Sequence, residues 1–185
     1  MKKWLFLILL FPLTCVAQTY RYIGVEDGLS NRRVYCIQKD KTGYMWFLTH
    51  EGIDRYNGKE FKRYKLMDGD AEVNSLLNLN WLYIDQEGVL WEIGKKGKVF
   101  RYDQIHDCFN LVYKLPMESF SEQPDPITYA WLDENKHIWL CNKDTIFLYN
   151  TETQLVTHIK NDISEEITDI EQIDESHFFI GTEMG

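Results

Sequence analysis

Apolar residues along this chain cluster in short runs of four to seven, not at helical spacing. The runs are rich in Val, Ile, Tyr, Phe and Trp, and Gly, Asn and Asp bound them, which is the pattern of half-buried strands. After Gln18 no stretch repeats its apolar positions every 3.6 residues, so the pattern predicts an all-β fold without helices. The runs also recur. Asp40-Lys-Thr-Gly43-Tyr-Met-Trp46 is echoed by Asp85-Gln-Glu-Gly88-Val-Leu-Trp91 and by Asp133-Glu-Asn-Lys-His-Ile-Trp139. A shorter fourth copy, Asp174-Glu-Ser-His-Phe-Phe179, has Phe at the anchor. Anchors at 46, 91, 139 and 179 give a period of 40 to 48 residues.

Each copy divides into strands around that anchor. The first strand precedes the aspartate: 34–39, 79–84, 127–132 and 167–173. The second surrounds the anchor. The third ends in a tyrosine at 53–56, 98–102 and 146–149, and the fourth covers 61–64, 109–113 and 155–159. The aspartate suits a tight turn because its carboxylate can accept backbone amides, and Gly43 or Gly88 can take positive φ. The third copy lacks this glycine, and Asn135 is the nearby residue that tolerates a left-handed backbone. Asn57-Gly58 marks a further hairpin. The recurrent ring needs a burial place, which packing between neighbouring sheets provides. Four short strands per unit of about 45 residues are propeller blades. The pattern lacks the Gly-His and Trp-Asp pairs of WD40 blades and the Gly-Gly pair of kelch blades.

The expected organisation is an incomplete β-propeller of about three and a half four-stranded blades. Residues 1–17 read as a signal peptide: Lys2 and Lys3, then the apolar run Trp4–Leu13, then Cys15-Val16-Ala17, with Gln18 as the new N-terminus. Acylation at Cys15 and an uncleaved anchor are the competing readings. Residues 18–33 hold an aromatic strand, Tyr20–Ile23, expected to serve as a closure strand for a last blade. Blade 1 is assigned to 34–78, blade 2 to 79–126, blade 3 to 127–166 and a partial blade 4 to 167–185.

Charge narrows the function. The formal net charge is −9, and losing Lys2 and Lys3 with the leader makes it −11. Such a domain repels phosphates, so no nucleic acid partner is expected. Cys36, Cys108 and Cys141 form no disulfide framework, and no ligand spacing suggests a metal. The repeated Asp40, Asp85, Asp133 and Asp174 are explained by turns, which leaves no catalytic carboxylate pair. Asp68, Asp70, Glu165 and Glu166 read as loop residues. No cofactor motif is present.

The copies resemble the two-component regulator propeller repeat through Gly28-Leu29-Ser30-Asn31, Val34, Ile37, Asp40, Gly43, Trp46, Thr49, Gly52, Arg55 and Tyr56. The resemblance implies the periplasmic sensor region of a membrane-bound hybrid histidine kinase. Its partners would be the remaining blades and a downstream β-sandwich, and it would act as a homodimer. The implied stimulus is an oligosaccharide, and the implied output is transcription of polysaccharide utilisation genes. A secreted polysaccharide hydrolase or lyase, or a stand-alone interaction scaffold, is the alternative. In an up-and-down blade, the loop between strands two and three opens on the same end as the loop between blades. That end gathers Arg32, Arg33, His50, Glu51, Lys95, Lys96, Asn142 and Lys143 as candidate ligand-binding residues.

Overall fold

The computed structural model describes residues 20–73, 79–115, 126–163 and 165–184. The signal peptide expected at 1–17 lies outside them. The first blade consists of β1 (Val34–Lys39), β2 (Met45–Thr49), β3 (Gly52–Tyr56) and β4 (Phe61–Tyr64), antiparallel in the order β1-β2-β3-β4. A hairpin of β5 (Leu66–Asp68) and β6 (Ala71–Val73) follows. The second blade is β7 (Leu79–Ile84), β8 (Leu90–Gly94), β9 (Lys98–Asp103) and β10 (Cys108–Lys114). The third is β11 (Tyr129–Leu132), β12 (His137–Cys141), β13 (Thr145–Asn150) and β14 (Val156–Lys160), and the fourth pairs β15 (Ile167–Gln172) with β16 (Phe178–Thr182). The expected all-β, incomplete propeller is the observed fold.

Three apolar cores fill the gaps between successive sheets. Trp46, Leu48 and Ile53 meet Leu82, Leu90, Phe100 and Phe109. Trp91, Ile93 and Val99 meet Ala130, Ile138, Leu140 and Tyr149, and Trp139 meets Ile167 and Ile170. Each anchor tryptophan therefore faces the following blade. The spacing from Asp to Trp has a second cause that the sequence pattern conceals. One carboxylate oxygen accepts turn amides, from Thr42 and Tyr44 at Asp40 and from Glu87 and Val89 at Asp85. The other oxygen accepts the indole N–H six residues on. The Trp46–Asp40, Trp91–Asp85 and Trp139–Asp133 distances are 2.8, 2.9 and 2.9 Å. A buried indole N–H would otherwise be unpaired. At Asp40, burial pushes the carboxyl pKa up, but the donors from Thr42, Trp46 and Tyr44 outweigh it and hold it below the ordinary value.

Three details depart from the sequence reading. Lys136, not Asn135, takes the left-handed backbone of the third turn, at φ 65°. It occupies the position of Gly43 and Gly88, while the Asn135 amide reaches the Glu175 carbonyl of the next blade. Leu66–Val73, assigned to blade 1 as strand-to-blade loop, pairs instead with blade 2: β5 runs parallel to β10 and widens that sheet to six strands. Asp68 thus ends a strand rather than lying in a loop. Phe179 sits across from Glu171, as Trp46 does from Gln38, yet it is 69% exposed. Phe178, on the other side of the strand, packs on Trp139 at 4.8 Å between ring centroids. Tyr20–Ile23, expected to close a last blade, joins no sheet among the described residues, and Tyr22 is 84% exposed.

The innermost strands of adjacent blades are joined by a repeated side-chain bond. Gln38 Nε2 donates to the Leu82 carbonyl at 3.1 Å, and Tyr83, one blade on, donates its hydroxyl to the Ala130 carbonyl at 2.6 Å. Both acceptors lie at the free edge of their sheet, where an unmet carbonyl would cost free energy.

Candidate functional site

The two ends of the blades differ in what they do. At one end the turns after Asp40, Asp85 and Asp133 are tied in series. Lys41 Nζ donates to the Gln86 carbonyl, Lys136 Nζ to Glu87 at 2.6 Å, and Asn135 to the Glu175 carbonyl at 3.0 Å. A cleft of about 500 Å³ opens here between the first two blades, lined by Asp40, Lys41, Tyr44, Arg55, Tyr102 and Asp107 among others. Its polar groups satisfy one another. The Arg55 guanidinium lies over Tyr44, Trp46 and Tyr64, 4.5, 5.4 and 5.2 Å from the ring centroids, and 3.6 Å from Asp107. Asp107 also accepts from Tyr64 at 2.7 Å, Tyr102 at 2.6 Å and Lys62. Burial works to raise the Asp107 pKa, but these donors hold it well below the usual carboxylate range. Burial first, and then donation to Asp107, push the Tyr102 phenol up to about 12. This is a clasp between blades.

The next interface lacks that clasp. Tyr149 occupies the place of Tyr102, and its buried hydroxyl has no hydrogen-bond partner among the described residues. Gln154 occupies the place of Asp107, five residues on in both hairpins, and shares its left-handed backbone, φ 59° against 52°. Gln154→Asp is therefore expected to give the Tyr149 hydroxyl its acceptor and to stabilise the chain by about 1 kcal/mol. Thermal denaturation of the two proteins checks the sign; an unchanged or lower midpoint would show that the two hairpins are not equivalent.

The opposite end carries the residues singled out from the sequence. His50 and Glu51 form the β2–β3 turn, Lys95 and Lys96 the β8–β9 turn, and Asn142 and Lys143 the β12–β13 turn. Arg32 and Arg33 precede β1, and the His50 amide donates to the Arg33 carbonyl at 3.0 Å. The fold thus sets them at one end of the sheets, and Arg32, Arg33, His50, Lys95, Lys96 and Lys143 are exposed. They are not alike. Asn142 is a turn residue, its side-chain oxygen accepting the Asp144 and Thr145 amides. Arg32 pairs with Glu26 at 3.3 Å. Glu51 accepts from Asn31 at 3.1 Å and from Arg63 at 3.3 Å. His50 is held by Tyr35, whose hydroxyl lies 2.9 Å from Nδ1. Tyr35, Asn31 and Arg63 were not among the ligand-binding candidates expected from the sequence. Tyr35 alternates with Val34 and Cys36 on β1, and that alternation is the one sign that it projects from the sheet.

Beneath this end lies a buried polar network. Ser30 N donates to Asp54 Oδ2 at 2.7 Å, and the Ser30 and Thr49 hydroxyls are 2.7 Å apart. Thr49 in turn donates to the Gly52 carbonyl at 3.0 Å. Thr49 and Asp54 are both buried, so the loop ahead of β1 is anchored to the turn that presents His50. Among the described residues, no three His, Cys, Asp or Glu side chains converge to hold a metal ion.

Residues 28–51, from the start of that loop to Glu51 in the turn, match the family described as two component regulator propeller. The chain carries a two-component regulator propeller repeat. Over 88% of its length it resembles the extracellular domain of BT3049 from B. thetaiotaomicron, described as a hybrid two component system, with 25% identity and a TM-score of 0.68. Two structures of the extracellular domain of BT4673 from the same organism, described as a one component and as a hybrid two component system, share its fold. They show 21% and 22% identity and a TM-score of 0.62 over 83% of this chain. The chain spans 24% of the BT3049 structure and 22% of each BT4673 structure. No curated protein matches it. Among the described residues no helix is long and apolar enough to cross a membrane. In structural terms the matched residues hold the Ser30–Thr49 contact, the Asp40–Trp46 bond and the turn between them.

Proposed function

We propose that this chain is part of a periplasmic propeller that senses an oligosaccharide for a membrane-bound hybrid two-component regulator. Through the rest of the natural protein, acting as a homodimer, it would control transcription of polysaccharide utilisation genes. The observation that carries the reading is the likeness to the BT3049 extracellular domain across most of this chain. The asymmetry of the blades supports it. The turns after the aspartates are used up in bonds between blades, whereas the other end holds Arg33, Lys95, Lys96 and Lys143 exposed, and carries the Tyr35–His50 pair. Exposed cations and an exposed aromatic side chain at one end suit a sugar bearing hydroxyl or carboxylate groups.

The test is binding without turnover. The exported region of the natural protein is offered a panel of plant, host and microbial oligosaccharides. Calorimetry should find one that binds, and chromatography should find it intact afterwards. Release of shorter products, lost on replacing carboxylates outside the Asp40, Asp85 and Asp133 turns, would replace the sensor with a hydrolase or lyase.

A further inference from the structure

Glu92 stands on β8 where the first and third blades have Phe47 and Leu140, the residues following Trp46 and Trp139. Its cross-strand partners are Leu82 and Phe100, which belong to the core between the first two blades. It is 0% exposed, and neither carboxylate oxygen has a hydrogen-bond partner among the described residues. An ionised carboxylate in such a place is far costlier than a neutral one. The first blade faces this core with Trp46 and Leu48 from β2, Ile53 and Arg55 from β3, Tyr64 from β4 and Cys36 from β1. The second blade adds Ile84 from β7, Tyr102 from β9 and Phe109 and Leu111 from β10. Of the charged groups around it, Arg55 is committed to Asp107 and Tyr102, and Lys62 to Asp107. None of them neutralises Glu92.

We propose that Glu92 makes the joint between the first and second blades responsive to pH, with the carboxyl neutral when the blades are packed and ionised when they part. The direction follows from linkage. Burial raises the Glu92 pKa well above its ordinary 4.5. The parted state ionises near 4.5, so the packing is strongest below that pH and weakens as pH rises toward the value in the packed state. The loss is at most about tenfold in the packing equilibrium per pH unit. Glu92 would thus be a built-in soft point in an otherwise apolar stack, where Leu140 makes the next joint indifferent to pH.

Hydrogen exchange of the full chain, corrected for the intrinsic pH dependence of exchange, reads this out. Between pH 5 and pH 8, protection of the β7 and β8 amides should fall by about tenfold or more relative to β12 and β13. Glu92→Gln and, as a second variant that cannot ionise, Glu92→Leu should abolish that fall. Glu92→Leu should also be better protected than the natural chain at pH 8. A natural chain with no relative fall, or an equal fall in both variants, overturns the proposal.

Discussion

Trp46→Ala is expected to lower stability by about 3–5 kcal/mol. The ring is 1% exposed and lies within 4.9 Å of Tyr64, 5.0 Å of Tyr102 and 5.9 Å of Phe109, centroid to centroid. Truncation removes contacts with two blades at once and takes a stacking face from Arg55. It also leaves one oxygen of Asp40 without its indole donor. The parts can be separated. Trp46→Phe keeps most of the ring and loses the bond, and Asp40→Ala loses the bond and the turn contacts. Each should cost less, about 1–2 kcal/mol. Denaturation of the three variants checks the order; a neutral Trp46→Ala would mean that the blades do not pack in this register.

Gly97→Ala is the second large effect, about 2–4 kcal/mol of destabilisation. Gly97 lies in the β8–β9 turn at φ 67°, where a side chain is strained. A Cβ there would stand 2.3 Å from Leu115 Cδ1, 2.6 Å from Cγ and 2.9 Å from Cβ, and Leu115 is tied to the same residue by its amide. Leu115 therefore cannot simply turn aside. Gly58→Ala is the comparison: φ is 93° but nothing lies within 4 Å, so only the backbone term applies. Equal losses at the two sites would show that Leu115 does not crowd Gly97.

These residues show what the sequence reveals and what it hides. Strand positions followed from apolar runs bounded by turn residues, and the first strand of blades 1 and 2, Val34–Lys39 and Leu79–Ile84, matches the expected limits. The Asp–Trp spacing marked the repeat, but one aspartate serving both its turn and the ring needed coordinates. The β5–β6 hairpin was missed because Leu66–Asp68 and Ala71–Val73 are three residues each and gain their order from β10, far along the chain. Glu92 was not flagged, since one acid within an apolar run looks like the solvent side of a half-buried strand, and only stacking on blade 1 buries both faces.

The candidate site was legible at the level of topology. Hairpin order alone put Arg32, Arg33, His50, Glu51, Lys95, Lys96, Asn142 and Lys143 at one end. Which of them are engaged in turns or ion pairs depends on side-chain geometry, and Tyr35 entered only through its bond to His50.

The measurement that bears most directly on the account is a footprint of the bound oligosaccharide on the exported region, by hydrogen exchange with and without the sugar. Protection is expected at 31–35, 50–51, 95–96 and 142–143. Protection at the turns 40–44 and 86–89, with the other end unchanged, would contradict it and move the binding surface to the cleft beside Arg55.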